Sequence, residues 1–164
     1  MKIKYSVLGL LLSMPLLAAD ADLPAFADFP VNTGEQRLQS IDFDSHPEAR
    51  NFRTRLEYNL NETANFAGHY ILTSWGCGTM CQMIALIDVN NGEVFMPPEL
   101  VSSLGFCYRR DSSMLILNPV QDLEEMFGDQ VPAWFNMLYY QWDGEQVQQL
   151  LETREPVIED CDFF

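Results

Sequence analysis

Residues 68–94, GHYILTSWGCGTMCQMIALIDVNNGEV, constrain the fold more than any other part of the chain. Two apolar runs of strand length, 69–75 and 82–89, flank a Cys-x-x-x-Cys segment. The run QMIALIDV is apolar enough to be a central strand covered on both faces. Asn90, Asn91 and Gly92 then make a hairpin turn, because Asn and Gly accept the positive φ that tight hairpins demand, and EVFM returns as the next strand. A chain committed to this pattern builds an antiparallel sheet.

The remaining segments extend the sheet and add helix. GFCYR and SMLIL flank the polar turn RDSS, and WFNMLYYQW is joined to EQVQQLL through Asp143 and Gly144. Ser45 and Glu48 stand at capping-box spacing, Pro47 falls in the first turn, and Ala49, Phe52, Leu56 and Leu60 share one stripe at 100° per residue. This predicts a long amphipathic helix packed on one sheet face. A short second helix is expected in NPVQDLEEMFG, with Asn118 as N-cap, Pro119 at its first position and Gly128 ending it. The predicted fold class is therefore α+β: an antiparallel sheet of hairpins, one long helix and one short one.

The N-terminus sets the compartment and the domain plan. Lys2 and Lys4 precede an apolar run from Val7 to Leu17 and then small residues, the pattern of a secretory signal with cleavage near Ala19 or Ala21. The run is shorter than the roughly 20 apolar residues that cross a bilayer. The expected organisation is a signal peptide over residues 1–19, an extended arm over 20–44, and a single domain over 45–164 ending in an acidic tail. The expected location is periplasmic or secreted, without stable membrane insertion.

The whole chain carries 24 Asp and Glu against nine Lys and Arg, a net charge of −15. Loss of the two signal lysines leaves seven arginines and −17. Such a surface argues against nucleic acid, whose binding needs clustered cations, and leaves room for a cationic partner in the cell envelope.

Four cysteines in an exported chain first suggest disulfides. Gly76 and Gly78 allow the sharp turn that would join Cys77 to Cys81, and parity then joins Cys107 to Cys161, tying the tail to a strand. Two other chemistries compete. Zinc would need ligands beyond Cys77 and Cys81, and His46 and His69 are the histidines on offer. A thiol nucleophile at Cys77 would need His69 as base, yet an extended strand holds the two roughly 26 Å apart. SWGCG is similar to the Ser-His-Gly-Cys core of L,D-transpeptidases, with Trp75 standing where they have His. No Gly-x-Ser-x-Gly elbow, phosphate loop or zinc-peptidase motif occurs. The expectation is no catalytic residue, no metal and no cofactor, with a cell-wall-active enzyme using Cys77 as the competing reading.

Residues 53–151, through NFAGHY, SWGCGTMC, DSSMLIL and YYQWDGE, resemble a group of uncharacterised exported bacterial proteins built around Phe-Ala-Gly-His-Tyr and Trp-Gly-Cys-Gly-x-x-Cys. The resemblance implies a domain type without an activity, and marks Asn65, Phe66, Gly68, His69, Tyr70, Trp75, Gly76, Cys77, Gly78 and Cys81 for scrutiny. Periplasmic inhibitors of vertebrate-type lysozyme are similar in a looser way, placing a disulfide-closed loop between two strands to plug the enzyme's cleft; here the loop is one residue shorter and has no His. These features predict a binding or interaction module that meets a protein or another envelope component through loop 75–81. His69, Trp75, Gly76, Gly78, Thr79 and Met80 are the candidate contact residues, and inhibition of a cationic lysozyme-like enzyme is an alternative role.

Overall fold

Among the described residues, eight strands form two four-stranded antiparallel sheets, and helix is confined to short pieces. The structure, a computed structural model, describes residues 23–156. In the first sheet β2 (Cys81–Asp88) is central. On one side it pairs with β1 (Tyr70–Gly78); on the other it pairs with β3 (Val94–Phe95) through Leu86 and Ile87, and with β4 (Val101–Ser102) through Gln82 and Met83. The second sheet is a meander of β5 (Phe106–Tyr108), β6 (Met114–Leu117), β7 (Met137–Trp142) and β8 (Val147–Thr153).

Side-chain alternation explains how the sheets stack. Tyr70, Leu72, Ile84 and Leu86 from the first sheet meet Phe106, Leu115, Leu117, Tyr140 and Trp142 from the second in one core. The opposite face of the first sheet presents Ile71, Trp75, Ala85, Ile87 and Val94, covered by Leu38, Ala49 and Leu56. The opposite face of the second presents Cys107, Met114, Ile116, Met137 and Tyr139, covered by Phe26, Val120 and Phe135. Each sheet is thus buried on both faces, which is why the four residues of β6 are all apolar and all buried.

The long helix over residues 45–60 does not form, and the fold is predominantly β rather than α+β with one long helix. Its apolar stripe is correct: Ala49 and Leu56 are fully buried, with Phe52 and Leu60 packed against the same cluster. The backbone instead makes a 3-10 turn at Ala49–Phe52 and then a five-residue helix α1 (Arg53–Glu57), because Phe52 leaves helical geometry at φ −109° and ψ 19°. Both ends are diverted by other bonds. Ser45 does not cap; its hydroxyl donates to the Asp42 carbonyl at 2.6 Å and accepts from the Val94 amide at 2.8 Å, tying the segment to β3. At the far end the Asn59 side chain donates to the carbonyls of Arg55 and Leu56 and closes the helix.

The short second helix, α2, is Leu123–Phe127, and its cap is Asp122, which accepts from the Glu125 amide at 2.9 Å. Asn118 has a different task. At φ 54° its Oδ1 accepts from the amides of Ser103 and Leu104 and its Nδ2 donates to the Asn136 carbonyl, so it joins three chain segments rather than starting a helix. The stretch expected as an arm contributes Phe26 to one outer cluster and Leu38 to the other.

Candidate functional site

The β1–β2 hairpin puts the motif residues at its two ends. Tyr70 pairs with Asp88 at the base and Gly78 with Cys81 at the tip, with continuous register from Tyr70 to Gly76. At about 3.3 Å per residue, His69 and Cys77 lie at opposite ends, roughly 26 Å apart. The disulfide removes the thiol as well: Cys77 and Cys81 are bonded, with Cα atoms 5.1 Å apart. The described residues include no free cysteine and no metal-holding group of His, Cys, Asp and Glu. Cys107 is also disulfide-bonded; its expected partner Cys161 lies outside the described residues, as does the expected signal peptide.

The base is structural. Phe66 and Tyr70 exchange backbone bonds of 3.0 Å, Gly68 donates to the Arg110 carbonyl at 2.7 Å, and Ala67 donates to the Ser112 carbonyl at 3.2 Å. Gly68 has φ 81°, and a Cβ there would overlap the Asn32 carbonyl oxygen, so only glycine fits. Asn65 completes the clamp, accepting from the Leu72 amide at 2.7 Å and donating to the Leu72 carbonyl at 3.0 Å. His69 is half-buried against the Tyr70 ring at 4.3 Å, its Nε2 3.8 Å from an Asp88 carboxylate oxygen. Burial raises the Tyr70 hydroxyl above its ordinary value of 10.0. These contacts fix a turn; none of them assembles a nucleophile with a base.

The tip has the opposite character. Gly76, Cys77, Gly78, Thr79 and Met80 are all exposed, and the register shifts between Gly76 and Gly78 so that Cys77 has no cross-strand partner. Gly78 sits at φ 146° and Met80 at φ 51°, a left-handed geometry that costs a side-chain-bearing residue about 1–2 kcal/mol. Met80 nonetheless shows 51% of its surface to solvent. The disulfide holds the loop in this form.

Trp75 was expected among the contact residues and instead lies beneath the tip. It is 7% exposed and packs its ring 4.7 Å from Phe52. The reason is register: Trp75 opposes Met83 and shares the face of Ile71 and Ile87, whereas its neighbour Gly76 projects beyond the core. The exposed set is therefore Gly76, Gly78, Thr79 and Met80.

Beside the tip lies a groove of about 470 Å³ lined by Arg50, Arg53, Arg55, Phe52, Trp75 and Gly76. Arg50 pairs with Asp44, and Arg53 pairs with Glu57 at 3.1 Å while lying over the Phe43 ring at 3.9 Å. Among the described residues the Arg55 guanidinium has no hydrogen-bond or ion-pair partner. Trp75 Nε1 is buried with no acceptor among the described residues. The sequence does hold the signal for this groove, three of its seven arginines within six residues. Among the described residues no helix is long and apolar enough to cross a membrane. No family model, no curated protein and no solved structure matches the chain.

Proposed function

We propose that this is an exported, non-enzymatic binding module that meets a protein of the cell envelope through residues 76–80 at the tip of the β1–β2 hairpin. Met80 is the observation that carries the reading: an apolar side chain half exposed, in a left-handed backbone conformation, at the end of a hairpin closed by a disulfide. A residue chosen for stability at that position would be Gly or Asn. Strain kept beside an exposed apolar group is instead the mark of a contact held in its bound shape, where little conformational entropy remains to be lost on binding. The disulfide also suits an oxidising compartment.

Inhibition of a cationic lysozyme-like enzyme is a second reading, favoured by the same closed loop projecting between two strands and by the excess of acidic residues. Acidity would speed encounter with such an enzyme. The cell-wall enzyme reading has lost its chemistry, since Cys77 is disulfide-bonded.

Affinity capture from envelope extract tests the main reading, with the wild-type chain beside Met80→Asp and the double variant Cys77→Ser with Cys81→Ser. Partners retained by wild type and lost by both variants support a contact at the tip. Capture unchanged by either variant contradicts it. A lysozyme assay with added protein decides the second reading.

A further inference from the structure

We propose that the free edge of β8 pairs with an extended segment of a partner protein, whose Lys or Arg side chain enters the groove beside Val147. This surface is separate from the contact at the hairpin tip.

The other sheet edges are bridged or short. β1 is bridged at Tyr70 by the Phe66 backbone and at Leu72 by the Asn65 side chain. β3 and β4 run two residues each and β5 three. β8 ends its sheet with seven residues, VQQLLET, and carries neither the Pro nor the Lys that commonly blunt such an edge. The ladder shows which of its groups are open. The Trp142 amide donates to the Ser113 carbonyl at 2.8 Å, away from β8, so Val147 opposite Trp142 turns its own N–H and C=O outward. Gln149, opposite Tyr140, repeats this two residues on. Among the described residues nothing bonds to either residue's backbone on that side. A bulge at Leu150 follows and confines the open stretch to the first half of the strand.

Main-chain bonds along an edge attract any strand, and the pocket beside the edge selects among them. Here the pocket is a groove of about 310 Å³ lined by Phe95, Met96, Pro97, Glu99, Glu145 and Val147. Val147 shares the inter-sheet face of Trp142, so the residue opposite Val147 on an added strand points the same way, toward this groove. Among the described residues no Lys or Arg lines it, and neither Glu99 nor Glu145 has a cationic partner. His46 is also on its wall, with Nδ1 accepting from the Glu48 amide at 3.2 Å. Burial, and then the charges of Glu99 and Glu152, raise the Tyr140 hydroxyl above its ordinary value of 10.0, which places both carboxylates near the inter-sheet face that β8 borders. A Lys or Arg side chain suits this groove: its methylene stem packs on Met96 and Pro97 while its charge meets the carboxylates. A second copy of this chain, at net charge −15, would be repelled instead.

Amide hydrogen exchange of the ¹⁵N-labelled protein reads the edge directly. With the end-capped peptide Thr-Lys-Thr-Lys-Thr at saturation, exchange at Val147 and Gln149 is expected to slow by about tenfold, as newly paired amides do, and Thr-Glu-Thr-Glu-Thr is expected to leave it unchanged. Gln149→Pro removes an outward N–H that has no partner in the fold, a substitution an edge strand tolerates, so this variant should keep its melting temperature and lose the response at Val147. Glu99→Gln should raise the Kd of the lysine peptide roughly threefold, the effect of one partly exposed ion pair. Met80→Asp should respond like wild type, which separates this edge from the tip contact. No slowing with the lysine peptide, an equal response to the glutamate peptide, an unaltered response in folded Gln149→Pro, or an unaltered Kd in Glu99→Gln would overturn the proposal. Slowing that grows with protein concentration in the absence of peptide would assign the edge to a second copy of the chain, and would overturn it too.

Discussion

The two ends of the β1–β2 hairpin come from one continuous motif and have been given opposite properties. At the base, Gly68 is closed in by the Asn32 carbonyl, Asn65 bridges to Leu72, and Phe66 is fully buried. At the tip, five successive residues are exposed and the constraint is covalent rather than packed. Packing fixes a conformation by filling space around it, and so hides it. A disulfide fixes a conformation while leaving it open to solvent, which is what a contact surface needs.

The sharpest way to break the comparison is at the base. Gly68→Ala must move either its own turn or the Asn32 backbone and must hold alanine at φ 81°, so it should cost more than about 4 kcal/mol, in the range reserved for disrupted backbones. Urea unfolding measures this, and a loss below about 1 kcal/mol would show that the base is not clamped. Trp75→Ala comes next. It should cost about 3–5 kcal/mol because it opens a cavity beneath the tip. Met80→Ala, five residues away, should leave the melting temperature nearly unchanged.

Opening the tip should have a smaller effect on stability. By loop-closure entropy a five-residue ring contributes about 2 kcal/mol, so the Cys77→Ser, Cys81→Ser double variant should lose no more than that while losing its partner. Met80→Gly sharpens the contrast through its sign. Relief of about 1–2 kcal/mol of left-handed strain exceeds the roughly 0.5–1 kcal/mol of added chain entropy, so this variant should gain about 0.5 kcal/mol in stability and still bind less well.

The smallest effect belongs to the β7–β8 turn, held by an exposed carboxylate instead of a disulfide. Asp143 accepts from the amides of Gln146 and Glu145, and these bonds lower its pKa below the usual 3.8. A depressed folded value means that the stabilisation is present above the unfolded pKa and is lost as pH falls through the folded one. Unfolding midpoints of wild type and Asp143→Asn should therefore converge on acidification below about pH 3.8 and separate above it; a constant difference would exclude this turn as a titrating element.

Much of the sheet was legible in the sequence because its signals are local. Asn90, Asn91 and Gly92 announce one turn, Asp143 and Gly144 another, and the apolar runs between them are long enough to be strands. The helix over residues 45–60 misled for an equally physical reason. Ala49, Phe52, Leu56 and Leu60 satisfy helical periodicity, but the same spacing is met by a 3-10 turn followed by a short helix, and the deciding bonds from Ser45 to Asp42 and Val94 connect to another segment. Asn118 misled in the same manner: its partners Ser103, Leu104 and Asn136 are 14 to 18 residues distant. Trp75 turned on register by a single residue, since the next position, Gly76, is exposed.

Photo-crosslinking in the intact envelope is the most direct measurement of the central claim. A photoreactive residue placed at position 80 is compared with one at position 58, where Tyr58 is 74% exposed but lies outside the hairpin. A contact at the tip predicts a discrete adduct from position 80 and none from position 58. Adducts of equal yield from both positions, or none from position 80, would contradict it.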